Sequence, residues 1–116
     1  MVYLTWKKEL FLKIVALFLG ISMIVFAFKN NLLLSSILIL ILMIGIKYRN
    51  KGHNLVYFIT GAIIGPFAEI ICIHFGVWQY TNPSFLGIPL WLPFAWGFAI
   101  ILIKSITQTI INIDMK

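Results

Sequence analysis

Four apolar stretches, at residues 10–28, 32–46, 55–75 and 90–103, take up most of this chain, and only short polar breaks separate them. Backbone surrounded by hydrocarbon has no water to bond, so its N–H and C=O groups must be satisfied within a helix or a closed barrel. Apolar runs of this length predict membrane-crossing helices. The expected fold is therefore all-α: one transmembrane domain over residues 1–116, a bundle of four helices with an ordered aromatic and Pro-rich loop between the third and fourth. Composition agrees, since 62% of residues are hydrophobic and 10% charged, against about half and about a quarter in soluble domains. Almost nothing is left for a soluble head, so any function must lie in the helices and the loops joining them.

The second stretch is short for a hydrocarbon core of about 30 Å, and it must draw in its flanks or thin the bilayer. Lys29, Asn30 and Asn31 form a tight turn that makes the first two helices a hairpin. The first run has a basic start, but no small-x-small cleavage site follows before Lys29, so it is read as a retained helix rather than a signal peptide. Lys13 lies near enough to its end to snorkel. Beyond residue 103 the tail can extend the fourth helix as an amphipathic end, with Ile106, Ile110 and Ile113 on one side. The first hairpin reads as scaffold, because it is a nearly featureless Leu/Ile/Phe pair, and the second as site, because it holds the unusual residues.

Cations then orient the chain. Four crossings place Lys7, Lys8, Lys13, Lys47, Arg49, Lys51, Lys104 and Lys116 on one side and only Lys29 on the other. By the positive-inside rule this predicts both termini in the cytoplasm and the 76–87 loop outside. The net charge of +6 thus belongs to membrane anchors, and no nucleic-acid partner is expected. The basic group Lys47, Arg49 and Lys51 reads the same way, as topology anchors. Cys72 is the one cysteine, which excludes an internal disulfide and a multi-cysteine metal site. No metal and no cofactor are expected.

The most informative residue within the helices is Glu69, three positions after Gly65-Pro66. An ionisable side chain at membrane depth costs about 3 kcal/mol or more unless it faces protein or water, so it is a functional candidate by default. Gly61, Gly65 and Glu69 recur at a spacing of four, and Cys72 continues their stripe. One helix face is therefore narrow enough for a neighbouring backbone to approach, and it carries the acid beside that contact. Pro66 removes a backbone donor and is expected to bend the helix. Two readings of Glu69 stay open: a small-ligand or proton site, or a neutral carboxyl that hydrogen-bonds a neighbouring helix. His74, five residues on, lies well round the helix and reads as an interfacial hydrogen-bonding residue.

The second informative stretch is the loop Gly76-Val77-Trp78-Gln79-Tyr80-Thr81-Asn82-Pro83-Ser84-Phe85-Leu86-Gly87, continuing through Pro89, Trp91 and Pro93. Trp78, Tyr80 and Trp91 suit the membrane–water interface. Prolines, glycines and Asn82 among large apolar residues describe an ordered loop dipping toward the outer leaflet. Pro89 and Pro93 suit the first turns of the fourth helix. Trp96 lies one turn deeper, which lets Trp91, Trp96 and Glu69 line one pocket. Over about 20 residues, from Gly76 to Pro93, this segment resembles the last loop of the Insig family of polytopic membrane proteins. That resemblance implies a lipid-facing pocket and, as partners, sterols, diacylglycerol-like lipids or other membrane proteins.

Together these readings predict a small integral membrane protein, non-catalytic, that binds lipid or a membrane partner, or assembles as a homo-oligomer. Its expected binding residues are Glu69, Trp78, Tyr80, Asn82, Trp91 and Trp96, with Gly61, Gly65 and Pro66 packing the helices. One alternative is an enzyme that uses Glu69 as a general acid on an isoprenoid or lipid double bond. Another is a small proton-coupled transporter. Four crossings and one embedded acid are similar to the small multidrug-resistance transporters, although that family carries its acid in the first helix and this chain in the third.

Overall fold

The computed structural model describes residues 2–49 and 53–114, and they form four helices: α1 (Val2–Ala27), α2 (Asn31–Arg49), α3 (Asn54–His74) and α4 (Leu92–Asp114). Lys51 and Lys116, counted above among the cations, lie outside the described residues, as does the Arg49 side chain. By length and composition α1, α3 and α4 can cross a membrane, whereas the apolar part of α2, Asn31–Lys47, is shorter. It spans roughly 25 Å at 1.5 Å per residue. Large apolar side chains such as Phe11, Phe18, Phe26, Leu32, Ile63 and Phe67 are exposed on the outside of the bundle. Such a surface suits lipid and would be a liability in water.

Three helices run further than their apolar stretches, α2 by a few residues to Arg49. α1 begins at Val2 instead of residue 10, because Lys7, Lys8 and Glu9 interrupt hydropathy without opposing helix. α4 continues from 103 to Asp114, as the amphipathic extension requires, with Ile106 and Ile113 half-buried. Thr109 is buried there, while Ile110 is exposed. The physical reason is Lys13 of α1, which does not snorkel outward. Its ammonium turns into the bundle and donates to Thr109 Oγ1 at 2.8 Å and to the Ser105 carbonyl at 3.3 Å.

α3 and α4 form the main helix interface. It works by rings set over glycines. A Cβ on Gly65 would stand 2.1 Å from the Trp96 ring, and one on Gly61 would stand 2.8 Å from the Trp96 carbonyl oxygen. In return the Phe58 ring of α3 lies 2.6 Å from where a Cβ on Gly97 would be. The Gly-x-x-x-Gly face is therefore filled by α4 of the same chain, and it offers no free surface for a second copy. α3 runs unbroken through the buried Pro66.

Local chemistry closes the loop end. Asn30 caps α2, its side-chain oxygen accepting the Leu33 N–H at 3.0 Å. α3 ends at His74, and just beyond it Gly76, with a φ of +80, lets its own N–H reach the Ile73 carbonyl and the Val77 N–H reach the Cys72 carbonyl, a Schellman ending. Phe85 and Ile88 exchange backbone hydrogen bonds around Leu86 and Gly87, both at positive φ, which is the geometry of a tight two-residue turn. Ile88 and Pro89 are then fully buried, and Ile88, Trp91 and Leu92 pack with Leu34 and Leu38 of α2. Pro89 thus belongs to the loop's core contact, while Pro93 sits in the first turn of α4.

Candidate functional site

Glu69 lies on the α3 face that meets α4 and is 9% exposed. Its two carboxylate oxygens have separate partners. The Tyr80 hydroxyl donates to Oε1, and the Trp96 indole N–H donates to Oε2 at 2.5 Å. One partner comes from the loop and the other from α4, so a single side chain joins α3, the loop and α4. Gly65 makes this possible. It stands one turn before Glu69, and the absence of a side chain there lets the Trp96 ring lie close enough for its N–H to reach the acid. Hydrogen bonds gain strength where water is excluded.

Tyr80 is the second anchor. Its ring meets Trp91 edge-on, with centroids 6.2 Å apart and planes at 89°. Burial, then the hydrogen bond to Glu69 and the acid's charge, push the Tyr80 phenol well above its ordinary value, so it stays a donor. Trp91 is 5% exposed, and its indole N–H has no acceptor among the described residues. These side chains wall a shallow cleft of about 250 Å³ between Ile24 of α1 and the start of α4, where Tyr80, Trp91, Ala95 and Trp96 face it. That is slightly smaller than the roughly 300–1,000 Å³ of small-molecule sites. The cleft can hold part of a chain or ring, and not a whole lipid.

Four of the six expected binding residues are therefore brought together: Glu69, Tyr80, Trp91 and Trp96. Trp78 is 45% exposed and is not part of the cleft wall. Asn82 has a different task. Its side-chain amide donates to the Phe28 and Lys29 carbonyls, each at 3.0 Å, and to Asn31 Oδ1 at 3.1 Å. Asn31 returns the clamp, donating to the Asn82 carbonyl at 2.7 Å and to Ser84 Oγ at 2.8 Å. Ser84 Oγ in turn accepts the Leu90 N–H at 3.0 Å. The loop is thus tied to the α1–α2 turn, and the first hairpin takes part in building the site. Asn31 carried no signal beyond being a turn residue in the sequence, and only its partner reveals the role.

His74 is exposed and stacks edge-on with Phe75, with centroids 5.3 Å apart. It is remote in role from the acid on the same helix. Searched against protein-family models, curated proteins and solved structures, the chain matches none. The geometry and chemistry of this site are therefore what a functional reading rests on.

Proposed function

We propose that this chain is a small multi-pass membrane protein that binds a lipid or isoprenoid segment, without chemical change, in the cleft beside Glu69. One observation carries the reading. Tyr80 and Trp96 both line the cleft and both donate to Glu69, so the acid fixes the wall that a ligand would touch. A site whose side chains are already locked by such bonds loses little entropy on binding. The Insig-like loop from Gly76 to Pro93 points to the same lipid-facing end. The cations support an orientation with both termini cytoplasmic and the 76–87 loop outside. Lys29 sits at the clamped turn, whereas Lys7, Lys8, Lys13 and Lys47 lie toward the other end of α1 and α2.

Native mass spectrometry of the protein extracted gently from its own membrane, wild type beside Glu69→Gln, tests the reading. The wild type should retain a small apolar ligand that the variant loses while keeping its helical circular dichroism. Equal retention by both, or stoichiometric partner proteins with no small ligand, would overturn it and leave Glu69 as a structural tie between helices. A second reading has one observation in its favour: Tyr80 faces the cleft and is bonded to Glu69. With the acid protonated, Tyr80 passes its proton to a double bond held there and takes the acid's, and the resulting cation returns a proton from a neighbouring carbon through Tyr80, which leaves an isomerised double bond. Its signature is a chemically altered lipid or isoprenoid produced by the wild type and absent with both Glu69→Gln and Tyr80→Phe.

A further inference from the structure

A second cavity, larger than the cleft beside Glu69, lies at the opposite end of the bundle. Its volume is about 550 Å³, well inside the range of small-molecule sites. Every helix contributes to its wall, which is mostly carbon: Ala16 from α1, Leu42 and Gly45 from α2, Phe58 from α3, and Phe98 and Ile101 from α4. The polar members come from α1, α3 and α4. Glu9 and Lys13 are one turn apart on α1, Asn54 opens α3, and Ser105 accepts a hydrogen bond from Lys13.

Lys13 is the unusual group in this wall. An ammonium has three N–H donors, and two are spent on Thr109 and Ser105. Among the described residues no carboxylate comes within ion-pair distance of it, although Glu9 lines the same cavity. A half-buried cation without a counter-charge is costly at membrane depth and attracts an anion. Access is also built in. α2 and α3 both wall the cavity, yet α2 packs on α1 and α4 while α3 packs on α4, and α2 and α3 have hardly any packing against each other. α1 likewise has hardly any packing against α3, so the cavity wall is incomplete beside α3. Gly45, on the α2 side of this opening, has no atom within 4 Å of where its Cβ would stand.

We propose that this cavity holds one acyl chain of an anionic phospholipid, entering between α2 and α3, with the headgroup phosphate at Lys13. Charge selects this occupant over a zwitterionic lipid. The cations of this chain gather at this end, and basic pockets between helices on the cytoplasmic side are suited to anionic headgroups. The site is separate from the cleft at Glu69 and does not depend on it.

The test titrates the purified full chain in detergent with dioleoyl phosphatidylglycerol or dioleoyl phosphatidylcholine and counts bound lipid by native mass spectrometry. The wild type should bind one phosphatidylglycerol roughly fivefold more tightly than phosphatidylcholine, the preference expected for one well-placed cation. Gly45→Phe, which grows into open space, should lose both lipids with helical content unchanged. Lys13→Met keeps the stem and removes the charge, and it should bind the two lipids equally. Should Gly45→Phe lose helicity, Lys13→Met alone decides. Equal binding of the two lipids by the wild type, an unchanged preference in Lys13→Met, or a lipid-free dimer that covers the opening would overturn the proposal. Loss of ligand in Glu69→Gln with phosphatidylglycerol retained is the pattern expected of two independent sites.

Discussion

At the loop end of the bundle, Glu69 accepts from Tyr80 and Trp96, Asn82 and Asn31 tie the loop to the α1–α2 turn, and Ile88 and Pro89 are fully buried. At the other end, Lys13 reaches Thr109 and Ser105 beside a cavity of about 550 Å³. The difference follows from residue type. Directed hydrogen bonds and ring-on-glycine contacts specify one geometry, whereas Leu and Ile side chains without shape complementarity leave space that lipid can fill. In a membrane no hydrophobic force drives helices together, so close packing and polar bonds must hold them, and they are denser at the loop end.

The same kind of substitution, made at each end, should therefore have opposite effects. Gly65→Ala puts a Cβ 2.1 Å from the Trp96 ring, and the ring must leave its place over α3. A loss of about 2–3 kcal/mol is expected, the upper part of the overpacking range, read by unfolding in a denaturing detergent. Breaking the clamp should cost less. Asn82→Ala removes the donor to Phe28, Lys29 and Asn31 and should destabilise by about 1–2 kcal/mol. Hydrogen exchange should then rise in residues 81–90 and leave α3 unchanged. Exchange rising equally along every helix would contradict the local role of the clamp.

Smaller effects should separate the two ends further. Tyr80 has a raised folded-state value, so its contribution to stability is fully present below the unfolded-state pKa of about 10 and is lost progressively as pH rises above it. An absorbance titration should show one tyrosine ionising later than the others in the wild type, and that late component should vanish in Tyr80→Phe. The smallest effect should be Gly45→Ala at the open end. No atom lies within 4 Å of the added Cβ, so only helix propensity acts, and the variant should be more stable by up to about 1 kcal/mol. A loss there comparable to that of Gly65→Ala would mean that the ends do not differ.

Much of the closed end was legible in the sequence because its residues are rare in a membrane. Glu69 demanded a partner, the Gly61 and Gly65 spacing demanded a close neighbour, and Trp96 one turn into α4 was placed at the same pocket. Which groups satisfied the acid was not legible. The Tyr80 bond depends on the path of residues 76–91, and that path is set by the Gly76 ending, the 85–88 turn and the Asn31–Asn82 clamp together. Trp78 and Asn82 have the same composition signal as Tyr80 and Trp91, yet they do other things, since loop composition does not tell which side chain points inward. At the open end, Lys13 reads as an outward anchor because a lysine near a helix terminus usually has water within reach. Only the continuation of α4 to Asp114 brings Thr109 opposite it. Cavities leave no trace in composition, as they depend on how poorly neighbouring surfaces fit.

The account's central claim is that Glu69 is held between Tyr80 and Trp96 at the closed end. Nitrogen-15 NMR of the four tryptophan indole N–H groups tests it most directly, in wild type and in Glu69→Gln. The account predicts one strongly downfield, slowly exchanging indole proton that is assigned to Trp96 and moves upfield in the variant, with Trp91 slow to exchange but not downfield. A Trp96 resonance that is already weakly bonded in the wild type, or unmoved by Glu69→Gln, would contradict it.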